Sequence, residues 1–289
     1  MANNIVYLNG SFLPLEDAKI SVMDRGFLFG DSIYEVIPAY NGRLFRLPHH
    51  LERLNNGLAA IHMDNPLGVD EWRSILERLV QQNPEQDQSV YLQVSRGAYE
   101  RRDHAIPDSV EATVFAMTSP IPAPDHAMAQ SGITAITLDD IRWRLCNIKA
   151  TTLLANVLLK HQAHDADAIE SILIRAGEAM EGSASNLFII NAGKLITPPK
   201  SNFLLPGITR DLVLELAAEH QLPYAEQAIS EAQLRNAEEI WLTSSTKEIM
   251  PVTQLDGRQI GDGKPGPIYR QMSKLYADYK ERIKLGVAV

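Results

Sequence analysis

The segment Glu181-Gly-Ser-Ala-Ser-Asn186-Leu-Phe-Ile-Ile190-Asn-Ala-Gly193-Lys-Leu-Ile196 carries most of what the chain says about its architecture. A carboxylate comes first, followed by small and polar residues. The apolar run at 187–190 then reads as a strand, Asn191-Ala192-Gly193 as a turn and Leu195-Ile196 as the returning strand. Strands joined by so short a turn are antiparallel, because a parallel pair needs a crossover of a dozen or more residues. The same device recurs near the N-terminus. Asn9-Gly10 separates Ile5-Val6-Tyr7-Leu8 from Phe12-Leu13, and Asn41-Gly42 separates a strand-like 34–40 from Leu44-Phe45. Further strand patterns fall at 90–94, 112–117, 172–174 and 239–242. Between them, apolar residues recur at helical spacing: Leu51, Leu54, Leu58 and Ile61 behind Pro48, and then Trp72, Ile75, Leu76 and Leu79. Leu153, Leu154, Val157 and Leu158 suit a helix as well, as do Ile208, Leu212 and Leu216, and Ile268, Met272, Leu275 and Tyr279. Hairpins mixed with helices in both halves predict an α+β fold.

The chain has 289 residues, 45% hydrophobic and 22% charged, an ordinary globular balance with length for about two domains. Alternate prolines in Ser119-Pro-Ile-Pro-Ala-Pro-Asp125 predict a short extended connector. The expected division is a smaller domain over 1–119, a linker over 120–128 and a second domain over 129–289. The longest apolar-rich stretch, 145–159, is broken by Lys149 and by polar Asn and Thr residues, and falls short of the ~20 apolar residues of a membrane span. A net charge of −9 repels phosphate backbones and anionic lipid, so neither nucleic acid nor membrane is an expected partner. The single cysteine, Cys146, cannot form an intrachain disulfide, and no basic-then-apolar leader is visible, so a cytoplasmic location is the simplest expectation.

Several residues could carry chemistry. Lys149 is the only charge between 145 and 159, at the mouth of what the pattern predicts as an apolar helix. Desolvation frees a lysine amine to attack carbonyls, whereas a lysine in a helix's first turn can equally snorkel to solvent. Glu181, followed by small residues that let a planar ligand approach, could hold a heterocyclic nitrogen protonated, or could simply belong to a polar turn. Pro206-Gly207-Ile208-Thr209 opens a helix and so offers free amides to an anion. Thr243-Ser244-Ser245-Thr246 offers hydroxyls after a strand. Arg53, at the edge of an apolar helical face, is a further anion candidate, or a surface arginine paired with Glu52 or Asp64. Other patterns fail on context. Gly261-Asp-Gly263-Lys-Pro-Gly266 lacks a second strand and reads as a loop. His161 and His164 near Asp165 and Asp167 lack a third ligand set, so no metal site is expected. No Gly-x-Ser-x-Gly elbow surrounds Ser183.

Taken together, these pieces resemble the class IV pyridoxal-phosphate aminotransferases (fold type IV), a group that includes branched-chain aminotransferases, D-amino acid aminotransferases and aminodeoxychorismate lyase. The likeness rests on Glu181-Gly-Ser-Ala-Ser-Asn186-Leu-Phe188 continuing to Gly193 and Thr197-Pro198. It rests also on Asp140-Ile-Arg-Trp143 to Cys146-Asn-Ile-Lys149, on Leu205-Pro-Gly207-Ile208-Thr209-Arg210, and on the run from Thr243 to Pro251. The resemblance implies a smaller N-terminal α/β domain, a larger C-terminal domain with a pseudo-barrel of strands, and pyridoxal 5'-phosphate as cofactor. It assigns Lys149 to the Schiff base and the proton shuttle, and Glu181 to the pyridine nitrogen. Arg53, the amides of Ile208 and Thr209, and Ser244 and Ser245 go to the phosphate, and Leu205 to the ring face. Ping-pong transfer between an amino acid and a 2-oxo acid follows.

Within the family, Gly30-Asp-Ser-Ile-Tyr34-Glu-Val36 and Tyr91-Leu-Gln-Val-Ser-Arg96-Gly97 are most similar to D-amino acid aminotransferases. In that group a tyrosine and an Arg-x-His pair capture the substrate carboxylate, which maps onto Tyr34, Arg102 and His104. The loop is one residue longer than the family pattern and leaves Arg101 and Arg102 as alternatives. The resemblance further implies a homodimer in which this loop serves the partner's site, with D-alanine or D-glutamate and pyruvate or 2-oxoglutarate as substrates. Branched-chain L-amino acid transfer, aminodeoxychorismate cleavage and (R)-amine transamination are the alternatives. The first is disfavoured because Tyr91-Leu92-Gln93 stands where its members carry Tyr-x-Arg.

Overall fold

Asn9 and Gly10 have φ of 45° and 89°, and Asn41 and Gly42 have 49° and 74°. Two consecutive positive values give the twist that joins two strands through a two-residue turn. The computed structural model describes residues 4–83, 85–122 and 130–287. The chain divides into two units. One comprises the residues up to Pro122, the short segment Ile148–Thr152 and the residues from Arg282 onward. The other comprises the described residues 130–147 and Leu153–Glu281. The sequence predicts a single boundary; the two returns to the first unit leave no compositional mark. Of the expected linker, residues 123–128 lie outside the described residues, and Pro120 is the exposed last residue of a strand.

In the first unit β1 (Ile5–Leu8), β2 (Ser11–Pro14), β3 (Ser32–Tyr40), β4 (Arg43–Leu44), β5 (Asp87–Ser95) and β6 (Thr113–Pro120) form one sheet in the order β2-β1-β6-β5-β3-β4. The pairings are antiparallel. Val90, Leu92 and Val94 alternate onto one face and are fully buried with Ile33 and Ile37. They pack against Leu51, Leu54 and Leu58 of α2 (Leu47–Ala60) and Trp72, Leu76 and Leu79 of α3 (Val69–Gln81), a helix pair the apolar spacing predicts; α1 (Arg25–Phe29) precedes β3. β4 covers only Ala39 and Tyr40 of β3. At its N-terminal end, Ser32–Tyr34 of that edge are met by 148–152. The Tyr34 amide donates to the Lys149 carbonyl at 3.0 Å and the Thr151 amide to the Ser32 carbonyl at 3.1 Å, around a bridge between Ile33 and Ala150.

The second unit contains β7 (Ile133–Asp139), β8 (Glu170–Arg175), β9 (Glu178–Gly182), β10 (Asn186–Asn191), β11 (Lys194–Thr197), β12 (Tyr224–Glu226), β13 (Ile229–Ser230), β14 (Glu239–Ser244), β15 (Glu248–Leu255) and β16 (Arg258–Gln259). β10-β14-β15-β7-β8-β9 run in sequence, and β9 then pairs back onto β10, closing six strands into a barrel. The closure is a single antiparallel pair, Glu181 opposite Asn186, tightened by the Gly182 amide donating to the Ser185 carbonyl at 2.6 Å. Ile172, Leu187, Ile189, Ile240, Leu242 and Val252 fill the interior. The expected α+β class and barrel are therefore present, and β7 pairs in parallel with both β8 and β15.

The helices of this unit are α4 (Leu154–Asp165), α5 (Ile208–Glu219), α6 (Glu231–Arg235) and α7 (Pro267–Leu285), whose last turn belongs to the first unit. The glycine-rich 261–266 is a loop before α7, as its context requires. The buried Glu239 accepts the Ile268 amide at 2.9 Å and the Tyr269 amide at 2.8 Å, placing a carboxylate at the α7 N-terminus. Among the described residues, no helix is long and apolar enough to cross a membrane.

One expectation is corrected. Lys149 is not in the first turn of a helix: α4 starts five residues later, and Lys149 lies on the edge segment of β3. The apolar spacing that predicts α4 does not mark a buried face, because Leu154, Val157 and Leu158 are 72%, 60% and 45% exposed while Leu159 and Ala163 are buried.

Candidate active site

Antiparallel bridging sets Lys149 opposite Tyr34 and Thr151 opposite Ser32, so all four side chains share the sheet face away from α2. The Lys149 Nζ stands 4.1 Å from the centre of the Tyr34 ring, within reach of its negative face. Tyr34 stacks on Tyr91 at 5.7 Å. Donors then run in one direction: Tyr91 hydroxyl to Gln93 Oε1 (2.7 Å), Gln93 Nε2 to Ser32 Oγ (3.3 Å), and Thr151 Oγ1 to the Gly30 carbonyl (3.2 Å). The Ser32 and Thr151 hydroxyls meet at 2.5 Å between them. Burial pushes both phenols up, Tyr91 to about 12, so both stay protonated at neutral pH.

Behind this face, Glu35 is fully buried. Arg53 forks onto it, Nε to Oε1 and Nη2 to Oε2, each at 2.7 Å, and His50 Nδ1 meets Oε2 at 2.7 Å. Burial alone raises the Glu35 pKa, but the Arg53 charge and fork and the His50 contact outweigh it and hold the carboxyl at about 2. Burial lowers the His50 pKa, so the neutral ring donates from Nδ1 to the ionised carboxylate. Arg53 is thus a buried arginine paired with Glu35, not a surface one paired with Glu52 or Asp64.

Arg102 and His104 are exposed and flank the Phe29 ring, at 5.1 Å from the guanidinium carbon and 5.2 Å between rings. The Arg25 Nη1 holds the loop through the Asp103 carbonyl at 2.6 Å, while Arg101 lies beside Glu100. Of the predicted residues, Tyr34 thus lies against Lys149, and Arg102 and His104 lie together against Phe29.

In the second unit, Glu181 sits where the barrel closes. Its Oε1 accepts from Arg142 Nη1, its Oε2 accepts from Asn186 Nδ2 at 3.0 Å, and the Leu205 amide reaches both oxygens at 3.2 and 3.1 Å. Burial pushes this carboxyl up to about 7, against the pull of Arg142 and the Leu205 amide. Asn186 also donates to the Leu205 carbonyl at 2.8 Å and abuts Gly207, the N-cap of α5, which has no side-chain cap. A Cβ at Gly207 collides with the Asn186 amide, although φ of −73° suits any residue. Gly207→Ala should therefore cost roughly 1–3 kcal/mol through overpacking, read as a lower urea midpoint with an unchanged slope. Opposite Asn186 in the ladder, Thr243 is buried and its Oγ1 has no hydrogen-bond partner. Ser244 ends β14 and Ser245 opens the turn to β15. Asn186, Arg142, Glu35 and His50 receive no role from sequence; the first three stand inside quoted motifs, but Arg142 meets Glu181 from 39 positions away, and Glu35 meets His50 and Arg53 from 15 and 18.

The chain belongs to the class IV aminotransferases: the Amino-transferase class IV family model matches residues 32–255. It is 39% identical over 275 residues to the D-alanine aminotransferase of Listeria monocytogenes, covering 94% of this chain and 95% of that one. It is 41% identical over 267 residues to the D-alanine aminotransferase of Bacillus licheniformis, covering 92% and 94%. Among solved structures, a T.th. branched-chain amino acid aminotransferase with pyridoxamine 5'-phosphate superposes with a TM-score of 0.91 at 27% identity, covering 96% and 94%. The Escherichia coli branched-chain enzyme gives 0.89 at 25%, with the same coverage.

Proposed function

We propose that the protein transfers the amino group of a D-amino acid, of the D-alanine or D-glutamate type, to a 2-oxo acid such as pyruvate or 2-oxoglutarate, using pyridoxal 5'-phosphate. The residues suit that group. Glu181 is a buried carboxylate suited to a ring nitrogen, Thr243 Oγ1 is a buried hydroxyl without a partner, and the uncapped α5 N-terminus presents the Ile208 and Thr209 amides to an anion. When bound, this cofactor supplies a protonated ring that takes up the electrons left by the departing α-proton.

The observation that carries the reading is the Lys149 amine, held by its backbone on the β3 edge with its side chain over Tyr34. Lys149 would hold the cofactor through Nζ, and its amine would serve as a tethered base for the α-proton and return that proton as an acid. Glu181 keeps a proton on the ring nitrogen. Arg53, oriented by Glu35, serves the phosphate with Ile208, Thr209, Ser244 and Ser245, and Leu205 packs on the ring. Tyr34, Arg102 and His104 take the substrate carboxylate. We further propose a homodimer, supported by the exposed Leu154, Val157 and Leu158 on α4 and by the exposed Arg102–His104 loop. A reducing, cytoplasmic setting suits the single cysteine.

The D preference is supported by the relatives at 39–41% identity, against 25–27% for the branched-chain structures. It is supported also by Gln93, a neutral amide committed to Tyr91 and Ser32. Purified protein loaded with cofactor and offered D- and L-alanine, D- and L-glutamate and L-leucine should turn over the D-enantiomers. Turnover of L-leucine alone defeats the assignment.

A further inference from the structure

Arg142 lies in the irregular segment after β7, 9% exposed, with its guanidinium divided between two carboxylates. Nε and Nη2 fork onto Asp140, at 2.8 Å to Oδ1 and 2.9 Å to Oδ2, and Nη2 also reaches the Phe203 carbonyl at 3.2 Å. Nη1 is left to meet Glu181 Oε1. Arg175 of β8 supports the arrangement from the other side. Its Nε donates to Asp140 Oδ2 at 3.1 Å, and its Nη2 to the carbonyls of Arg142 and Trp143 at 3.1 and 3.2 Å. The Asp140 amide is tied to the Ile174 carbonyl at 2.9 Å. The result is an alternating row, Arg175, Asp140, Arg142, Glu181, with two charges of each sign.

We propose that Arg142 is a positioning residue for the transamination: it biases the Glu181 carboxylate toward its ionised form and holds it in one orientation, so that Glu181 can hold a proton on the pyridine nitrogen of the cofactor. This rests on the assignment of Glu181 under the proposed function and adds a second residue to it. The physical argument is one of competing magnitudes. A carboxylate as buried as Glu181 is disfavoured as an anion, and Arg142 is the largest influence opposing that burial. Without the guanidinium, burial leaves Glu181 neutral at pH 7. A neutral carboxyl adds no charge beside the ring nitrogen, so the loss of Arg142 should reproduce the loss of the Glu181 charge. The fork matters as well as the charge: a lysine ammonium is a point donor and cannot grip Asp140 through two bonds while reaching Glu181.

The test uses the holoenzyme loaded with pyridoxal phosphate labelled with ¹⁵N in the ring, whose chemical shift reports the protonation of that nitrogen. Wild type should show a protonated ring at neutral pH. Arg142→Met and Glu181→Gln should both shift the signal toward the unprotonated form and lower kcat by roughly 10²–10³-fold. The double variant should be no worse than either single one, because both remove the same charge relation. If Arg142→Met does not fold, Arg142→Lys decides: a partial shift of the ring signal supports the proposal, and a wild-type signal overturns it. A folded Arg142→Met with a wild-type ring signal overturns it too, leaving the proposed function intact. Wild-type protein that takes up no labelled cofactor overturns both.

Discussion

Lys149→Ala should abolish transamination and the visible absorbance of covalently held cofactor, while leaving the protein folded. Proton transfer by a positioned side chain contributes roughly 10²–10⁴-fold, and loss of the covalent tether adds to it. The variant is clean because residue 149 joins the β3 edge through its main-chain carbonyl, which alanine retains. What disappears is the amine over the Tyr34 ring. Single-turnover absorbance on mixing with D-alanine provides the measurement. Full turnover with an unchanged spectrum would remove Lys149 from the reaction.

Glu35→Ala should produce the largest loss of stability, about 3–5 kcal/mol, because it leaves the Arg53 cation in a buried site without its fork. That is a large share of the roughly 5–15 kcal/mol typical of a folded protein. The pH dependence has a definite sign. Glu35 is held at about 2 in the fold against 4.5 for the free side chain, so its contribution is complete above about 4.5 and is lost as the pH falls toward about 2. Glu35→Gln should be less stable than wild type at neutral pH and should converge on it as the acid limb is approached. Urea midpoints measured across that range check both points; parallel curves for the two proteins would contradict the account.

The hairpins are readable because their turns are local chemistry: an Asn-Gly pair tolerates the positive φ that Asn9, Gly10, Asn41 and Gly42 adopt. The helices over Leu47–Ala60 and Val69–Gln81 are readable because their apolar spacing coincides with burial. Around Lys149 the same signal misleads. The apolar residues after it do form a helix, but its start lies beyond the lysine, and three of the four residues that suggest it face solvent. The lysine is placed by a strand edge more than a hundred positions upstream, which no periodicity near residue 149 can encode. The site is legible to the same degree. Glu181 can be picked out by its neighbours in sequence. Its partner Arg142 cannot, since 39 positions separate them and two successive pairings, β7 with β8 and β8 with β9, bring them together. Arg53 can be suspected, but its counter-ion sits in an otherwise apolar strand.

The five residues lent to β3 limit how the polypeptide can be divided. A fragment ending near the proline-rich connector would contain every strand of the first sheet, yet it would present bare amides and carbonyls at Ser32–Tyr34, where the native chain supplies Lys149 and Thr151. An uncovered ribbon of that kind recruits other chains. Splitting or permuting the polypeptide at the connector thus separates the nucleophile from its scaffold and turns that scaffold into a site of self-association.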